Sequence, residues 1–167
     1  MAASGMGIGG TPTAQTQMLR LQLEQRARIG AGWFVWVAGL SMANSLVSSF
    51  GGSIRFIFGL GISQIVDAMA HQAGSTGVVL DLIINGFVAG IFVLLWNFAR
   101  KGQKWAFLVG MGLYALDGLI LIPFKDILGL AFHAYALFRI YQGFQAASQL
   151  EAVGVAALQS GGTIGPA

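Results

Sequence analysis

The chain has no cysteine, three prolines and two histidines, and each scarcity closes off a class of chemistry. Without cysteine there are no disulfides, thiolate metal sites, thiol nucleophiles or lipidated cysteines. Two histidines with no His-Glu-x-x-His spacing supply no metal pattern, so neither metal nor cofactor is expected. The glycine-rich stretch Met6-Gly7-Ile8-Gly9-Gly10 precedes neither a strand nor a P-loop lysine, which removes the usual phosphate cradle. Charge is scarce as well: 9% of residues are charged, against about 25% in ordinary globular chains. The net charge is +3, yet no basic stripe with interleaved aromatics exists, and nucleic acid is not an expected partner. The first residues lack a cationic start and an apolar h-region, so a cleaved signal is not expected.

What fills the space is apolar sequence, 56% of all residues. The runs over 30–50, 78–98, 105–124 and 127–147 each approach the roughly 20 residues that a helix needs to cross a bilayer. The turn Arg100-Lys101-Gly102-Gln103-Lys104 holds three cations and no acid, which keeps it cytoplasmic under the positive-inside rule. Four spans place Arg20, Arg26, Arg28, Arg100, Lys101 and Lys104 inside and only Arg55 and Lys125 outside. Five spans would erase that bias. The sequence therefore predicts an all-α integral membrane four-helix bundle of four transmembrane helices. Residues 54–71, apolar but broken by polar positions, are expected as a short re-entrant or interfacial helix on the outer face.

Around the bundle, 1–17 reads as a disordered N-terminal segment and 18–29 as a cytoplasmic helical lead-in with two i,i+4 charge pairs. The membrane domain is 30–147, and 148–167 reads as a largely disordered cytoplasmic tail. The expected location is the inner (plasma) membrane, multi-pass, with both termini cytoplasmic. The expected partners are the lipid bilayer and other membrane subunits or self-association.

Polar residues inside apolar runs are costly and need partners or a cavity. At 1.5 Å per residue, Asn44, Asn85, Asp117 and His133 all fall about 9–10 Å from one end of their runs. Asp81 lies one turn from Asn85 on the same face. These five form the candidate site, either as a hydrogen-bonded lock or as a proton-active cluster. Gln64, Asp67 and His71, on one helical face, form a secondary cluster. Ser41, His133 and Asp117 have the residue types of a catalytic triad but no nucleophile-elbow signature. Arg139 is read as snorkelling toward the inner head groups. The functional expectation is a non-catalytic subunit or scaffold of a membrane assembly. A small transporter or proton-coupled channel around Asp117 and His133 is the alternative. Enzymatic activity is not expected.

Overall fold

The computed structural model describes residues 12–49, 74–123 and 125–161. Among them are four helices: α1 (Pro12–Ser49), α2 (Gly74–Ala99), α3 (Lys104–Ile120) and α4 (Ile127–Gly161). Proline at the first helical position suits α1, because its missing N–H would be unpaired there anyway. Charged and apolar stretches of α1 continue as one rod of 38 residues. Each helix packs on its chain neighbour, and α4 closes the ring against α1. Contacts run in opposite order along every adjacent pair, so the helices alternate up and down.

Among the described residues, two turns reverse the chain. Between α2 and α3, Gly102 takes φ +79, a left-handed conformation that glycine adopts without steric cost. Its amide bonds the Ala99 carbonyl at 2.9 Å. The guanidinium of Arg100 lies 4.5 Å over the Trp96 ring, so this basic turn is partly anchored to an aromatic face. Before α4, the Asp126 carboxylate accepts from the Gly129 amide at 2.9 Å, capping the helix N-terminus.

The core lies on the axis of the ring. Phe34, Phe92, Phe107 and Tyr114 are almost wholly buried, and their ring centroids lie 6.1–6.2 Å apart in three pairs. Close approach is possible because small residues face inward. A Cβ on Gly30 would collide with the backbone of Gly143, and one on Gly110 with the ring of Phe34. At Gly30 and Gly143, α1 and α4 meet backbone to backbone.

This architecture corrects the membrane reading. Among the described residues only two stretches, Ala14–Val47 and Leu82–Ala99, are long and apolar enough to cross a membrane. Helix α3 has 17 residues and closes in a turn at Leu121, so four transmembrane helices are not what the fold presents. In the first of the two stretches, 44% of the most apolar 18-residue window is buried within the bundle. A buried Asp117–His133 contact, further buried polar residues and an aromatic core make a self-contained four-helix bundle. The expected integral membrane bundle, its inner-membrane location with cytoplasmic termini, and its lipid and membrane-subunit or self-association partners are corrected accordingly. So are both functions built on them, the membrane subunit or scaffold and the transporter or channel. Large apolar side chains do remain outside, among them Ile83 and Phe87 on α2 and Leu116 on α3. The expected outer-face helix over 54–71 lies outside the described residues.

The crossing gives a direct test. Gly30→Ala should cost about 1–3 kcal/mol, since two backbones must separate. Gly32, two residues on, has nothing within 4 Å of its added Cβ, and Gly32→Ala should gain about 0.5–1 kcal/mol from helix propensity. Chemical denaturation midpoints of the two variants should move in opposite directions.

Candidate functional site

Among the described residues, the buried polar side chains gather at the end where α1 finishes, α2 begins and α3 turns into α4. Ser41, Asn44, Ser45, Asn85, Asp117 and His133 are all buried. On the α1–α2 side, the Asn85 amide donates to Ser45 Oγ at 2.6 Å. Ser45 belongs to the small strip Ala38, Ser41, Ser45 of α1, which turns inward and so meets α2 directly.

On the α3–α4 side, His133 Nε2 and Asp117 Oδ2 are 2.9 Å apart, with side chains only 3% and 7% exposed. His133 Nδ1 is 2.9 Å from the Gly129 carbonyl, one helical turn back. A carbonyl can only accept, so Nδ1 carries a proton and donates it. The Nε2–Oδ2 contact then needs one further proton, held by the imidazole or by the carboxyl. In either form the pair as a whole is neutral, which is what a dry interior tolerates. Gly118 makes room for it: a Cβ there would stand 3.2 Å from the imidazole.

Tyr114 completes the site. It lies three residues before Asp117, on the same face of α3, and its ring stacks on His133 at 4.3 Å and 12°. Phe92 meets its other side edge-on at 6.1 Å. Burial pushes the Tyr114 phenol far above its usual range, and the neighbouring Asp117 charge adds to this. The phenol therefore remains a proton donor, yet its oxygen is buried with no hydrogen-bond partner.

Of the expected cluster, then, Asn44, Asn85, Asp117 and His133 are buried at one end of the bundle, and Asp117 and His133 are directly bonded. Asp81 lies on α2, but its side chain is outside the described residues, as are Gln64, Asp67 and His71. The triad of Ser41, His133 and Asp117 is not assembled, because both ring nitrogens of His133 are committed, to Gly129 and Asp117. Among the described residues no three His, Asp or Glu side chains gather to hold a metal. The sequence reading missed Tyr114 and Ser45. The signal for Tyr114 was its i,i+3 spacing from Asp117, and for Ser45 its place on a small strip opposite Asn85. No family model matches the sequence, and neither a curated protein nor a solved structure matches it.

Two outcomes check this geometry. Asp117→Asn should keep most of the stability, since the amide can donate to Nε2. Asp117→Leu should lose about 1–3 kcal/mol by leaving that nitrogen buried and unpaired. Tyr114→Phe removes a buried hydroxyl that bonds nothing, and should gain about 1 kcal/mol. It should also remove an alkaline liability. Above the unfolded phenol's pKa, near 10, the unfolded chain sheds the Tyr114 proton while the folded one retains it. The unfolded state then binds fewer protons, and stability falls as pH rises. Urea titrations from pH 9 to 11.5 should show a shallower decline for Tyr114→Phe than for the parent chain.

Proposed function

We propose that this chain is a non-catalytic helical domain in which the Asp117–His133 pair fixes the register of the bundle. The observation that carries this reading is the closed hydrogen-bond ledger of His133, one nitrogen to Gly129 and the other to Asp117. A general base needs a nitrogen or oxygen within reach of the proton it removes. Here both nitrogens are spent on the protein itself, at residues 2% and 7% exposed.

Apolar faces slide and rotate with little penalty, whereas a hydrogen-bonded pair has one geometry. A displacement of α4 by one residue, about 1.5 Å of rise and 100° of rotation, would strand both Asp117 and His133. Asn85 and Ser45 impose the same demand between α1 and α2. Buried polar groups can thus trade stability for a unique arrangement.

The test is a double substitution. His133→Leu alone should lose about 3–5 kcal/mol, because it leaves the Asp117 carboxyl buried without its partner. Asp117→Leu with His133→Leu should recover most of that loss, yet give broader, less dispersed methyl NMR spectra. A double variant with spectra as sharp as the parent's would sink the register role. Catalysis is checked separately, by assaying the parent chain and Asp117→Asn against aryl ester and aryl phosphate panels. Turnover present in the first and lost in the second would overturn the non-catalytic reading.

A further inference from the structure

A second polar feature lies toward the other end of the bundle, in the groove between α1 and α4 beside the Gly30–Gly143 crossing. The groove encloses about 420 Å³ and is lined by Arg26 from α1 and by Arg139, Gln142, Gln145 and Gln149 from α4. The α4 residues recur at i, i+3, i+6 and i+10, which spreads them along one side of the helix. Among the described residues no carboxylate lines the groove. Arg139 is half-buried, and its Nε is wholly enclosed with no hydrogen-bond partner. Among the described residues the close acid–base contacts are Lys104–Glu151 and Asp117–His133, so neither arginine of the groove is neutralised by an acid.

An enclosed guanidinium nitrogen without an acceptor is costly. The pattern is that of an anion site: two guanidiniums, whose forked donors match oxyanions, with three amides able to donate to the remaining oxygens. Two fixed positive charges and no negative one favour a dianion. The volume falls within the roughly 300–1,000 Å³ of small-molecule sites, which leaves room for an organic group against Ile29. We propose that this groove binds a small phosphate monoester, its phosphate held by Arg139 and Arg26. The inference is independent of the Asp117–His133 pair, and either can fail without the other.

The probe is phenyl phosphate, titrated calorimetrically into the full chain at constant ionic strength, with benzyl alcohol as the neutral comparison. We expect saturable, one-to-one binding of phenyl phosphate and none of benzyl alcohol. Arg139→Gln and Arg26→Gln should each weaken it at least about tenfold, since each removes a charge-assisted contact. Arg28→Gln, which removes an exposed cation outside the groove, should leave it unchanged. Arg26 is itself exposed, so its variant remains informative if Arg139→Gln fails to fold. Absence of saturable binding overturns the proposal. So does equal weakening by Arg28→Gln, which would mark a diffuse response to net charge.

Discussion

Helices α1 and α4 touch backbone to backbone at Gly30 and Gly143, and the placement of everything else on α4 follows from that contact. Interaxial distance in a bundle is set by the side chains at the crossing, and here there are none. The Phe107 ring approaches the same point, 3.0 Å from where a Gly143 Cβ would stand, so α3 is drawn against the crossing as well. Going back ten residues along α4 from Gly143, about 15 Å, brings His133 level with Asp117. Going forward from Gly143, Gln145 and Gln149 line the groove with Arg26. The buried pair and the cationic groove are two consequences of one close approach.

At its two ends the bundle handles charge in different ways. Asp117 and His133 share one proton beneath an aromatic lid of Tyr114 and Phe92, which removes net charge from a dry site. Arg139 keeps its full charge while losing part of its water, with no acid to offset it. In the first arrangement, both ring nitrogens of His133 are bonded within the protein, although the hydroxyl of the Tyr114 lid is not. The second sets an unpartnered, charged guanidinium beside a groove of about 420 Å³, which is why a ligand is inferred there and not at the pair. The exposed pair Lys104–Glu151 contributes little to either end, because solvent screens it.

Much of the helical content was legible from apolar runs and from the basic turn, since periodicity and breakers are local properties. That Asn85, Asp117 and His133 would turn inward was also legible, because polar groups in apolar helices must find partners. That the apolar runs pack on one another in a self-contained bundle was not. Hydropathy counts apolar residues without asking what they face. In α1, Phe34 and Val37 are wholly buried and belong to the bundle's core, yet they raise the score of a span just as lipid-facing residues would. The run over 105–124 was long enough on paper, but the chain turns after Ile120, shortening the helix below the bilayer's requirement.

Tyr114 illustrates why the remaining detail escaped. Its i,i+3 spacing from Asp117 was the one local signal, and the stacking on His133 depends on how α3 and α4 face each other across their turn. The same holds for Arg139, which looks like an isolated snorkelling cation until Arg26 is brought beside it from 113 positions away. Both relations are tertiary and both rest on glycines: Gly118 lets the imidazole in, and Gly30 with Gly143 lets the groove form. A glycine in a sequence says only that a side chain is missing. Which neighbour uses the vacated space is decided by the fold, and in this bundle that choice places one histidine out of water's reach and one arginine at its edge.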